Sequence, residues 1–172
     1  RLDGRDGFVS LEVSPHLARD TRATIEEARR LWRDVGRPNV MIKVPATREG
    51  LPAIEALTAE GINVNVTLLF GLDRYAEVAD AYLAGLESLL RHREVPRLAS
   101  VASFFLSRID VMIDAALDDR MRTGLVAPDV AARLRGRVAI ASARLAYQRF
   151  KGISDSPRFR AVAARGARPQ RL

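Results

Sequence analysis

Two lysines occur in a chain that otherwise builds its positive charge almost entirely from arginine. One of them, Lys43, stands inside the apolar run Val40-Met41-Ile42-Lys43-Val44-Pro45. Burying an ammonium group is costly unless it is paired or neutralised. Desolvation of that kind favours the neutral amine, which is a nucleophile toward carbonyls. Arginine stays protonated and cannot take that part. The chemistry indicated is Schiff-base formation. The amine adds to a ketone, water leaves, and the iminium draws in the electrons of a neighbouring carbon–carbon bond, which breaks to leave an enamine. The plainer reading of Lys43 is a strand-end lysine whose stem is buried and whose ammonium reaches solvent.

Such a lysine needs partners, and the alternation of the strands supplies them. Residues 8–13 read as a strand with Val9, Leu11 and Val13 on one face and Phe8, Ser10 and Glu12 on the other. Residues 40–44 place Val40, Ile42 and Val44 opposite Met41 and Lys43, and residues 62–68 place Val64, Val66 and Leu68 opposite Asn63, Asn65 and Thr67. A fourth strand, 98–104, is rich in small residues and carries Ser103. Between and after the strands the pattern predicts helices at 24–35, 49–60, 72–91, 107–122, 128–150 and 159–165. Thr24 and Glu27 have capping-box spacing, Gly36 closes the first helix, Trp32 sits on its apolar face, and Ser107 is the expected N-cap of the fourth helix.

This is the rhythm of parallel βα units. A doubly wound sheet buries both faces and its central strands read as nearly all apolar. Here one face is polar, as in a (β/α)8 barrel, where active sites gather at the carboxyl ends of the strands. Burying Glu12, Lys43, Asn65 and Thr67 together is tolerable only if they hydrogen-bond one another or trapped water. As a set they describe a polar pocket in a barrel mouth. Glu12 could orient the water that forms or hydrolyses the iminium, or it could merely neutralise Lys43. Asn65 and Thr67 could meet substrate hydroxyls, although an asparagine or threonine alone in a strand is unremarkable. Ser103 and Arg108, where the fourth strand passes into a helix, have the makings of a phosphate site. The alternative for that pair is an ordinary cap and a surface arginine.

Bulk properties narrow the classes. With 172 residues, 48% of them apolar, the chain can bury the core of one domain. There is no cysteine, which excludes disulfides and thiol catalysis. His16 and His92 are the only histidines and have no second ligand at metal spacing, so no metal site is expected. The net charge of +7 is spread along the sequence without a basic run or interleaved aromatics. It fits solvated arginine-rich helices or attraction to phosphorylated small molecules better than nucleic-acid binding. The longest apolar runs are too short to span a membrane, and no secretory signal opens the chain, so a cytoplasmic location is the default. The start at Arg1 and the stop at Leu172 suggest a piece of a longer protein.

Four segments together resemble the transaldolase family. They are Val9-Ser10-Leu11-Glu12-Val13-Ser14-Pro15, Met41-Ile42-Lys43-Val44-Pro45-Ala46-Thr47, Gly61-Ile62-Asn63-Val64-Asn65-Val66-Thr67-Leu68-Leu69-Phe70, and Ser100-Val101-Ala102-Ser103-Phe104-Phe105-Leu106-Ser107-Arg108-Ile109-Asp110. The resemblance runs from about Asp6 to Leu172. It implies a (β/α)8 TIM barrel of which this chain, as a single domain over residues 1–172, covers roughly strands 3 to 6. It implies that Lys43 is the Schiff-base lysine, that Glu12 and Thr67 hold the catalytic water, that Asn65 contacts the bound dihydroxyacetone unit, and that Ser103 and Arg108 bind phosphate. The implied reaction moves that unit from sedoheptulose 7-phosphate to glyceraldehyde 3-phosphate in the non-oxidative pentose phosphate pathway. Sugar phosphates are the only implied partners, no cofactor is needed, and family members are often dimers. By the same resemblance, the family's first two strands, with an acid/base aspartate and a substrate-binding asparagine, would precede Arg1. The seventh strand would open at Arg171-Leu172. The alternatives are a fructose-6-phosphate aldolase-like enzyme, whose relatives typically carry glutamine at the position of Glu12, and a catalytically incomplete fragment that only binds sugar phosphates.

Overall fold

Four strands and the helices that follow them set the frame in a computed structural model that describes residues 6–94 and 98–172. The strands are β1 (Val9–Glu12), β2 (Val40–Pro45), β3 (Val64–Leu69) and β4 (Ser100–Phe104). A short 3-10 turn, Pro15–Leu17, leads into α1 (Thr21–Val35), and α2 (Gly50–Ala59) and α3 (Leu72–Leu90) fill the next two crossovers. After β4 come α4 (Ser107–Arg122), α5 (Pro128–Leu134), α6 (Val138–Ser154) and α7 (Pro157–Ala163).

All three strand pairings are parallel and the sheet order is β1-β2-β3-β4. Consecutive order means that every crossover steps the same way. With right-handed crossovers, α1, α2 and α3 must then lie on one face of the sheet. They do: α1 packs on α2, and α2 on α3. The outward residues Ile42, Val44, Val64 and Val66 are fully buried beneath them, together with Ile54, Leu57 and Val78. Trp32 packs against this cluster from α1, as its place on the apolar helix face predicts. A second cluster joins Leu83, Leu86 and Leu89 of α3 to Phe159 and Val162 of α7.

Several boundaries differ from those read from the sequence. Helix α1 starts at Thr21, because the Asp20 side chain accepts a hydrogen bond from Ala23 N at 2.9 Å. Thr24 and Glu27 do not form a capping box. Thr24 Oγ1 donates to Leu17 O and Glu27 Oε2 accepts from Ser14 N, so both side chains tie the 3-10 turn to the helix. The expected 128–150 helix is two, parted near Gly136, which takes a left-handed φ of +66°. Ser107 is the first helical residue of α4, and the capping position falls on Leu106, which makes no side-chain cap. The last helix begins two residues earlier than expected, at Pro157, with Ser156 Oγ capping Phe159 N.

Two faces also differ. Val9 and Leu11 share the apolar face of Val13, yet only Val13 is buried, and Val9 is 65% exposed. β1 ends the sheet, and among the described residues no helix covers its first part. On β3 the alternation breaks at Leu68, whose φ is +57°, and the pairing with β4 shifts between Val66 and Leu69. This bulge turns Leu69 into the core and leaves Leu68 44% exposed, the reverse of the strict alternation expected over 62–68.

Asn63 brackets the amino-terminal ends of three strands. Its Nδ2 donates to Pro38 O and Val40 O, and its Oδ1 accepts from Ala99 N. At the far edge, Arg171 forms a parallel bridge to Val101: Ala102 N donates to Arg171 O at 2.7 Å and Arg171 N to Ser100 O at 2.9 Å. The approach to this bridge is anchored by Tyr82, whose hydroxyl donates to Arg168 O at 2.8 Å.

Two outcomes follow from this packing. A Cβ added at Gly85 of α3 would stand 2.6 Å from both Glu55 O and Thr58 Cβ of α2. Glycine to alanine inside a helix ordinarily gains roughly 0.5–1 kcal/mol. Gly85→Ala is instead expected to destabilise by about 1–3 kcal/mol through overpacking, seen as a lower urea midpoint at unchanged slope. Burial raises the Tyr75 hydroxyl to about 12 and the Tyr82 hydroxyl further still. An acid whose folded value lies above its unfolded one stabilises the fold fully below the unfolded value, near 10 for tyrosine, and loses that contribution as the pH rises through the folded value. Alkaline unfolding followed by circular dichroism should therefore set in above about pH 10, and Tyr75→Phe with Tyr82→Phe should shift it upward.

Candidate active site

The register of the sheet, rather than any local motif, assembles the site. Glu12 pairs with Lys43 across β1 and β2, and Lys43 pairs with Asn65 across β2 and β3. Side chains in register on parallel strands point the same way, so these three stand side by side on the face without helices. Lys43 Nζ lies 3.8 Å from Glu12 Oε2, with side-chain exposures of 30% and 54%. Lys43 is thus half-buried and paired. That separation is an ion pair longer than a direct hydrogen bond, at a distance where both groups can share one water molecule.

Asn65 extends the row to β4. Ser103 Oγ donates to Asn65 Oδ1 at 2.7 Å, and Asn65 Nδ2 donates to Ser10 Oγ at 2.9 Å. Glu12, Lys43, Asn65 and Ser103 are therefore joined through register or direct contact. Thr67 sits one step further toward the carboxyl ends, opposite Pro45, and is buried. Its carbonyl accepts from Ala46 N at 2.7 Å, fixing the chain just beyond Lys43. Arg108 has no bond to Ser103. Its guanidinium lies over the Phe105 ring at 4.8 Å, and Phe105 stacks on Phe70 at 5.1 Å. Phe105 is itself held by its N–H to Leu69 O at 2.8 Å, just past the β3 bulge.

Sequence reasoning passed over Ser10, Phe70 and Phe105. For Ser10 the signal was present, because it lies two residues before Glu12 and shares its face. A cavity of about 360 Å³ opens on the same face toward the amino ends of the strands, lined by Phe8, Ser10, Met41, Asn65, Val101 and Arg171 among others. Lys43 lies outside it. Among the described residues no three His, Asp or Glu side chains are grouped to hold a metal ion, and no helix is long and apolar enough to cross a membrane.

Consecutive parallel strands, one helix-covered face and a polar opposite face define part of a (β/α)8 barrel. Comparison with known proteins names the lineage. The model of the family "Transaldolase/Fructose-6-phosphate aldolase" matches residues 1–165, and the chain belongs to that family. Transaldolase 2 of Nostoc sp. strain PCC 7120 is 52% identical over 171 residues, covering 97% of this chain and 45% of the relative. Transaldolase of Thermobifida fusca is 55% identical over 170 residues, covering 98% of this chain and 45% of the relative. That of Trichodesmium erythraeum is 49% identical over 173 residues, again with 45% of the relative covered. The chain thus spans a little under half the length of these curated relatives.

Proposed function

We propose that the chain carries the Schiff-base half of a transaldolase site, within a single barrel domain that acts on sugar phosphates. The observation that carries this reading is the row Glu12, Lys43, Asn65 at one level of the sheet, with the ammonium 3.8 Å from the carboxylate. Lys43 in its neutral form attacks the C2 carbonyl of the ketose phosphate. Glu12, with Thr67, holds the water that leaves the carbinolamine and later returns to hydrolyse the iminium. The C3–C4 bond then breaks. Its electron pair moves into the iminium to give the enamine of dihydroxyacetone, and the C4 hydroxyl gives up its proton as the aldehyde departs. The enamine adds to the aldehyde carbon of glyceraldehyde 3-phosphate, and hydrolysis frees fructose 6-phosphate and the lysine. Asn65 and Ser103 meet the hydroxyls of the three-carbon unit, and Arg108 meets the phosphate. The proton of the C4 hydroxyl needs an acceptor, a part that the family resemblance gives to an aspartate on another strand of the barrel. By this reading the protein serves the non-oxidative pentose phosphate pathway in the cytoplasm.

The name of the matched family covers both transfer and simple aldol cleavage. Glu12 supports transfer, since it supplies a carboxylate where the aldolase relatives are expected to carry glutamine. Rates with and without an acceptor aldehyde separate the two: release of free dihydroxyacetone as the main product would favour cleavage.

Two outcomes test the assignment. Borohydride reduction of the complete polypeptide in the presence of fructose 6-phosphate should add the mass of a dihydroxyacetone unit at Lys43. Lys43→Arg, which keeps a charge beside Glu12 but cannot form an imine, should abolish the adduct with the fold intact by circular dichroism. An adduct of the same yield in the arginine variant sinks the role of Lys43. The 172 residues expressed alone should turn over at a small fraction of the rate of a full-length relative, because the proton-transfer partner is expected elsewhere. Comparable turnover would show that this set of residues is sufficient.

A further inference from the structure

The polar row contains one member that the proposed chemistry does not use. Ser10 lies two residues before Glu12 on β1, so it faces the same side one layer closer to the amino ends of the strands. It is paired in register with Met41, and Asn65 reaches it past β2. Asn65 Nδ2 donates to Ser10 Oγ at 2.9 Å, while Ser103 Oγ donates to Asn65 Oδ1 at 2.7 Å. The amide of Asn65 is therefore held at both ends, by a hydroxyl from β1 and a hydroxyl from β4. A primary amide has two N–H donors and two acceptor lone pairs. One of each is committed to the serines, which fixes the plane of the amide and leaves one donor and one acceptor for a ligand beside Lys43.

We propose that Ser10 is a positioning residue. It acts through Asn65 and sets the orientation in which that amide meets the hydroxyls of the ketone bound at Lys43. This rests on the Schiff-base reading above. Ser10 is exposed on an edge strand and takes no part in the core, so its hydroxyl can be removed without opening a cavity. Without it, Asn65 keeps only the bond to Ser103 and can rotate about its χ2 torsion, which is broad for an amide. Placing a reacting group correctly is a large part of catalysis, and loss of one supporting bond between neutral groups costs about 0.5–1.5 kcal/mol, or roughly two- to tenfold in rate.

The test is a double-mutant cycle in the complete polypeptide that carries these residues, read as the rate of borohydride-trapped adduct at Lys43 with fructose 6-phosphate. Ser10→Ala is expected to slow trapping about two- to tenfold. Ser10→Thr, which keeps the hydroxyl, should restore it. In an Asn65→Ala background Ser10→Ala should have no further effect, because the residue through which it acts is gone. Independent, additive losses would overturn the proposal, since they would mean that Ser10 acts on the substrate directly or on the fold. Adduct formation in wild type and Ser10→Ala at the same rate would overturn it while leaving the Schiff-base reading in place. No adduct in any form, wild type included, would overturn both.

Discussion

Side-chain direction in a strand repeats every two residues, so everything proposed for the site depends on the register in which β1, β2 and β3 are paired. A slip of one residue in β2 would turn Lys43 under the helices and bring Ile42 and Val44 onto the polar face. Two independent features resist such a slip. Ile42, Val44, Val64 and Val66 are fully buried against the helices, which makes the wrong face costly to expose. Asn63 adds a directional lock below the site, joining the entry to β2 and the residue before β4 through three hydrogen bonds from one buried amide. An apolar pattern fixes which face is inward, and a buried amide with two donors and an acceptor in use fixes the height.

At the carboxyl ends the sheet departs from regularity, and the departure shapes the mouth of the site. Leu68 holds a left-handed conformation, which for a residue with a side chain costs of order 1–3 kcal/mol. The core supports it: the same bulge drives Leu69 into full burial. It also lets Leu69 O receive Phe105 N, which brings Phe105 onto Phe70 and gives Arg108 an aromatic surface to lie on. Among the described residues no carboxylate pairs with Arg108, and a cation held over a ring is pre-ordered with its charge available to an anionic ligand. The strain on β3 and the placing of Arg108 are parts of one local arrangement.

How much of this was legible in the sequence depended on the range of the interaction. The polar face of Glu12, Lys43 and Asn65 could be read because strand alternation is a two-residue signal. The split at Gly136 was equally local, yet a single glycine inside a long helical pattern does not announce a left-handed φ. Thr24 and Glu27 show the opposite failure. Their spacing fits a capping box, but Ser14 and Leu17 compete for the same side chains and win, and that competition appears only once the 3-10 turn has docked. Asn63 was passed over as a bracket because its partners are up to 36 residues away, and the face of Ser10 was legible while its bond to Asn65, 55 residues on, was not. The bulge at Leu68 was hidden for the same reason, since it answers to the pairing with β4 rather than to any neighbour in the chain.

The electrostatics of the lysine are governed by what lies over the polar face. An ion pair with one partner more than half exposed is worth about 0–1 kcal/mol, so Glu12 alone does not hold Lys43 strongly. What the sheet contributes is placement, by bringing a carboxylate, an amine, an amide and a hydroxyl into one row. In the proposed chemistry, placement becomes nucleophilicity through exclusion of water, which strengthens every interaction within the row. β1 is exposed along its whole length, and its free edge pairs with no strand among the described residues. Cover over that edge and over the polar face would dry the row without moving it. In a barrel this division of labour is natural: strands that carry the reacting groups fix their geometry, and the strands opposite decide how polar the space between them is.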